Sequence, residues 1–240
     1  RIAGVDARIH HFMSDLERDY YYWLLWNDHV VDIKEQYPLS LDETRKIAEE
    51  LGVRHPSDPA TKHPIVMTTD FLISDSRNGG DYQVARAVKY SKDLGGKRTR
   101  EKLEIEKRYW NNQGVEWGIV TEKSFNRTAS KNIMFLMDYY NGTEDDIGSE
   151  ILLDLVEHLL DSKNARIGDI CAAMDAEIGL QTGETLKCFY NLASHKVIPV
   201  NIEVCWQDWM VREIVDRELL EKYWKKGVYD GNIDGRKMLI

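Results

Sequence analysis

The stretch Met67-Thr68-Thr69-Asp70-Phe71-Leu72-Ile73, with Ala87-Val88-Lys89 downstream of it, decides how this chain is read. Both segments have strand character, spanning Val66 to Ser74 and Tyr82 to Tyr90, and Asn78-Gly79-Gly80-Asp81 between them carries the Gly content of a hairpin turn. An unpaired carboxylate in so apolar a strand is costly, so Asp70 needs a cationic partner. Alternate strand residues share a face, which puts Ala87 and Lys89 on one side, where a facing strand can bring Asp70 beside them. A carboxylate on one strand, a Lys on its hairpin neighbour and an upstream helical carboxylate, Glu17 in Ser14-Asp15-Leu16-Glu17, form the skeleton of a Mg²⁺-dependent nuclease site. Two blander readings compete with it. A structural Asp70–Lys89 pair meets the same electrostatic need, and Glu17 is also the fourth residue of a capping box.

Outward from this pair the chain alternates helix and strand. Ser14 opens a helix from about Asp15 to Trp26, Val30–Tyr37 reads as a strand ended by Pro38, and Ser40–Leu51 reads as a capped helix closed by Gly52. Downstream of the hairpin, Arg98–Asn112 has the charge pattern of a helix and Val115–Thr121 that of a further strand. The order implies a mixed sheet with flanking helices, an α/β domain over residues 1–142. The acidic turn Tyr139–Asp146 marks the expected boundary. Beyond it, helices over Glu150–Leu160, Ile167–Glu177 and Glu184–His195, with Val197-Ile198 and Val200–Val204 as a β-wing, suggest a winged helix-turn-helix over residues 143–205. Residues 206–240 read as an amphipathic, then polar, interaction tail.

With 240 residues, 42% of them apolar, the chain has the make-up of a packed globular protein. No run approaches the roughly 20 apolar residues of a membrane span, and Arg1-Ile2-Ala3-Gly4 lacks a secretory core, so a soluble, cytoplasmic protein is expected. Beginning at Arg1, the chain reads as a fragment or processed product. Cys171, Cys188 and Cys205 follow no zinc or disulfide spacing. The net charge of −9 is unevenly spread: residues 1–140 hold 21 Lys and Arg against 22 Asp and Glu, and residues 141–240 hold 11 against 19. A near-neutral first half can still present a basic face to DNA, whereas the acidic second half suits a protein partner better. The Arg98, Arg100, Lys102, Lys107 and Arg108 cluster could meet phosphates, but Glu101, Glu104 and Glu106 interleave it. Of His10 and His11, at most one should face the site. In the second half only Lys187, Asn191, His195 and Lys196 offer groups to bases.

The phrases His10–Glu17 (HHFMSDLE), Val31–Leu39 (VDIKEQYPL), Thr69–Leu72 (TDFL) and Glu101–Trp110 (EKLEIEKRYW) closely resemble the TnsA family, the endonuclease subunits of heteromeric cut-and-paste transposases. The resemblance covers most of the chain. It implies a restriction-endonuclease-like N-terminal domain and a winged-helix C-terminal domain. It also implies cleavage of the non-transferred strand at the 5′ ends of transposon DNA, beside a DDE-family transposase subunit, TnsB, and under an AAA+ ATPase regulator, TnsC. Carried over by motif, Glu17 and Asp70 are acidic, Mg²⁺-binding active-site residues, Lys89 is the catalytic Lys, and the Val88 main-chain carbonyl is a further metal ligand. The position two before that Lys is usually Gln or an acid in the family, and here it is Ala87. Ala87 leaves three explanations open: a lineage with fewer side-chain ligands, a substitution that traps a complex, or lost activity with the chain kept as a scaffold. A stand-alone repair nuclease and a winged-helix regulator are the remaining rivals.

Overall fold

The computed structural model describes residues 10–76, 82–140, 149–162 and 164–214. Four strands, β1 (Val30–Pro38), β2 (Thr68–Asp75), β3 (Tyr82–Val88) and β4 (Glu116–Val120), lie side by side in that order. β1 and β3 each run antiparallel to β2, and β4 runs parallel to β3. A parallel neighbour requires a crossover, and helix α3 (Lys97–Asn112) supplies it. The Asn78–Asp81 turn falls outside the described residues.

Both faces of the sheet are covered. On one, Leu16, Tyr20 and Leu24 of helix α1 (Asp15–Leu25) pack against Ile33, Phe71, Ile73, Val84 and Val88. On the other, Ile47 and Ala48 of helix α2 (Leu41–Glu50) and Ile105, Tyr109 and Trp110 of α3 pack against Leu72 and Ala85. Adjacent residues of β2, Phe71 and Leu72, thus serve opposite layers, as the pleat demands. Each fully buried side chain of this size contributes roughly 1.5–3 kcal/mol. The mixed sheet with flanking helices expected from the sequence is therefore present, and it fits a restriction-endonuclease-like α/β fold.

The chain divides into compact units at Arg127 and Thr128. This is earlier than the acidic turn suggests, because helix α4 (Arg127–Tyr140), which the sequence reading did not assign, packs with the second unit: Phe135 stacks on Trp206 at 4.0 Å and meets Tyr190 edge-on. Helices α5 (Ser149–Asp161), α6 (Ile167–Ile178) and α7 (Glu184–Ser194) follow as expected. The buried Asp175 carboxylate of α6 accepts the Gly183 and Thr185 backbone N–H groups and the Thr185 hydroxyl, capping α7. No helix among the described residues is long and apolar enough to cross a membrane, and all three cysteines are free.

The expected two-stranded wing is absent from the described residues. Val197, Ile198 and Val200 are buried, Pro199 has no N–H to give a ladder, and Val200 makes a single bridge to the distant Ile214. The carbonyls of Ile202 and Val204 are instead taken by the side-chain amide of Asn132 on α4, whose Oδ1 accepts the Trp206 N–H. The start of the expected tail helix is two short 3₁₀ turns, Trp206–Asp208 and Val211–Glu213, around the buried Trp209; residues 215–240 fall outside the described set. Replacing Asn132 by Leu strands these backbone groups and should lower stability by about 2–4 kcal/mol in urea unfolding, with faster proteolysis at residues 201–208. An unchanged unfolding midpoint would contradict the clamp.

Candidate active site

Asp70 sits on β2 opposite the end of β3. Its Oδ2 accepts the Val88 backbone N–H at 2.6 Å and the Lys89 ammonium at 2.8 Å. Lys89 lies one residue past the end of β3, and its own N–H bonds to Val120 O, which carries the ladder one step further and fixes its stem. The ammonium also donates to the Val88 carbonyl at 2.9 Å. Asp70 is therefore a buried carboxylate with two donors on one oxygen, one of them a cation, while Oδ1 points elsewhere.

Glu17 comes to the same place from α1. Ser14 Oγ accepts the Glu17 N–H at 3.2 Å and in turn donates to Glu17 Oε1, while Glu17 Oε2 accepts the Met13 N–H at 3.0 Å. The capping role thus exists, with Met13 rather than Ser14 as the backbone donor, and it aims the carboxylate: Oε2 still reaches the side chain of Gln36. Gln36 Nε2 donates to Glu17 Oε2 at 3.3 Å and to Asp70 Oδ1 at 3.4 Å, so the two acids are brought together through one amide. Gln36 has φ +48°, a left-handed conformation that costs a non-Gly residue about 1–3 kcal/mol and concentrates at functional sites.

Glu17, Asp70 and Lys89 thus converge, with the Val88 carbonyl beside them. Ala87 is buried and carries no donor toward the cluster. His10 is held by Glu35 at 3.0 Å and stacks on Phe12, and His11 is exposed. Arg98 is paired with Glu101 within α3. In the second unit, the Asn191 amide donates to Tyr139 O, and His195 hydrogen-bonds Tyr140 O while stacking on its ring at 4.1 Å, so both serve packing rather than base contact.

Among the described residues no three His, Cys, Asp or Glu side chains group to hold a metal ion. The set at hand is two carboxylate oxygens and a main-chain carbonyl. All are hard oxygen donors, and two carboxylates are enough for an ion that keeps most of its water, so the residues fit Mg²⁺ and not a thiolate- or imidazole-seeking metal.

Residues 27–122 match the family described as TnsA-like endonuclease N terminal, and residues 125–202 match TnsA endonuclease C terminal. The chain is also 36% identical over 199 residues, 82% of its length and 71% of the relative's, to the Transposon Tn7 transposition protein TnsA of Escherichia coli. The chain belongs to the TnsA family. Within this TnsA-type chain, sequence reasoning passed over two residues at the site, Gln36 and Glu106. Glu106, on α3, is buried; its Oε1 accepts the Thr69 hydroxyl at 2.8 Å and the Trp117 indole N–H at 3.1 Å, and Thr69 Oγ1 accepts the Trp110 indole N–H. This network braces β2 at the residue before Asp70.

Burial pushes the Glu106 carboxyl up to about 7; the hydrogen bonds from Trp117 and Thr69 offset part of this, the Asp70 charge adds repulsion and the positive charge of Lys89 opposes it. A carboxyl that titrates higher folded than its ordinary 4.5 adds stability fully below about 4.5, and that stability is lost as pH rises through about 7. Unfolding free energy measured against pH should decline over this window and level off above it. Glu106→Gln should flatten the decline; the same slope in both proteins would show that another group titrates.

Proposed function

We propose that this chain is the endonuclease subunit of a Tn7-type transposition complex, cutting the non-transferred strand at the 5′ ends of transposon DNA by Mg²⁺-dependent hydrolysis. The observation that carries the reading is the meeting of Glu17, Asp70 and Lys89, from three separate elements, at one point. Glu17, Asp70 and the Val88 carbonyl would hold the ion, which supplies charge stabilisation at the scissile phosphate and acidifies a bound water. Asp70 keeps Lys89 at a fixed place through the 2.8 Å pair. From there the ammonium orients the attacking water and stabilises charge developing on the phosphate oxygens. Water adds in line to phosphorus, the P–O bond opposite breaks, and the departing oxygen takes a proton.

The partners implied are transposon-end DNA, a DDE-family subunit of the TnsB type and an AAA+ regulator of the TnsC type, in the bacterial cytoplasm. Protein contact suits the second half, with 11 basic against 19 acidic residues over 141–240, better than duplex DNA does. We assign it to the three helices α5–α7 and to the tail from residue 206. One observation favours a second reading, an inactive scaffold of the same complex: the buried Ala87 offers no ligand.

A strand-specific cleavage assay with the partner proteins and Mg²⁺ tests both. Asp70→Ala should reduce nicking at the 5′ ends at least about 100-fold, the scale of losing a positioned charged group, with unchanged circular dichroism. Nicking by Asp70→Ala at the parental rate would overturn the assignment. A parent without activity, beside an active Ala87→Gln protein, would establish the scaffold reading.

A further inference from the structure

We propose that Gln36 is a positioning residue of the cleavage site: its carboxamide nitrogen holds Glu17 and Asp70 together until a divalent cation takes the same two oxygens. The inference rests on the metal-dependent reading above. Gln36 lies on β1 across from Asp70 on β2, between the paired positions Glu35–Phe71 and Tyr37–Thr69, and takes a left-handed backbone there without shifting the register.

A carboxylate oxygen accepts hydrogen bonds, so the NH₂ end of the amide faces Glu17 and Asp70. The other end agrees, since Gln36 Oε1 accepts the Thr68 hydroxyl at 2.9 Å. The amide nitrogen has two hydrogens, one for Glu17 Oε2 and one for Asp70 Oδ1. Asp70 Oδ1 faces Gln36, while Asp70 Oδ2 is taken by Val88 N–H and Lys89; on Glu17, Oε1 accepts from Ser14, and Oε2 accepts from the Met13 N–H at 3.0 Å as well as from Gln36. At 3.3 and 3.4 Å both contacts are longer than the usual 2.9 Å or so, so the amide would give way at little cost to a cation held by Glu17 and Asp70. The amide's partial positive charge relieves repulsion between the acids while no metal is bound, and it competes with the metal once one arrives. A mere strand-holding role has no such consequence.

Calorimetric melting in EDTA and in saturating Mg²⁺ separates the two, with Mn²⁺ titration as a second readout. Gln36→Met keeps the length of the side chain and the same Cβ, hence the same backbone strain, but donates nothing; Gln36→Glu adds a third carboxylate. In EDTA, Gln36→Met should melt about 2–4 °C below the parent. In Mg²⁺ the gap should close, so its metal-induced rise exceeds the parent's, and Gln36→Glu should show a larger rise still. If Gln36→Met does not fold, the rise in Gln36→Glu decides alone. Equal metal-induced rises in parent and variants would overturn the role of Gln36 and leave the nuclease reading standing. No rise in the parent with either ion would overturn both.

Discussion

Everything at this site depends on a buried carboxylate that cannot be left alone. Asp70 is 9% exposed, and a charge so placed is tolerated only where donors are supplied in good geometry. Here one donor is main chain, the Val88 N–H, and the other is the next residue's ammonium. The pair therefore fixes the end of β3 against β2. Because Lys89 also hydrogen-bonds Val120 through its backbone, the parallel strand β4 is tied to the same point. Strand pairing and site geometry therefore meet at the end of β3.

A second carboxylate is then brought in from a separate layer. Leu16, Tyr20 and Leu24 bury one stripe of α1 on the sheet, and Glu17, next in sequence to Leu16, is carried to the sheet's edge by that packing. The Ser14 cap fixes where the helix starts, so the same residues that begin α1 also set the direction of Glu17. The helix cap and the approach to Asp70 through Gln36 are combined in one side chain. The Thr69–Glu106–Trp110–Trp117 network stiffens the strand from the opposite layer.

The parts of this arrangement legible in sequence were those with local causes. Strand content at 68–75 and 82–88, the Ser14 cap and the need of Asp70 for a cation all follow from neighbours in the chain. Gln36 was not legible, because its role arises from cross-strand register and a left-handed φ that no residue pattern announces. Glu106 was hidden in a charge run but left a trace: it stands three residues from both Leu103 and Tyr109, on the apolar stripe of α3, where a solvated Glu has no place. The wing failed as a strand reading because Val197, Ile198 and Val200 are buried as single plugs, and the carbonyls of Ile202 and Val204 bond a side chain on α4. α4 itself is held by its packing, with Phe135 against Trp206 and Tyr190, partners more than 50 residues away in the chain.

The most direct measurement is anomalous diffraction from a crystal of this protein soaked in Mn²⁺. A single strong peak is expected between Glu17 Oε2 and Asp70 Oδ1, within coordination distance of the Val88 carbonyl and with the Gln36 amide turned away. A Mn²⁺ peak elsewhere in the first unit, with the Gln36 amide still bridging both carboxylates, would contradict it.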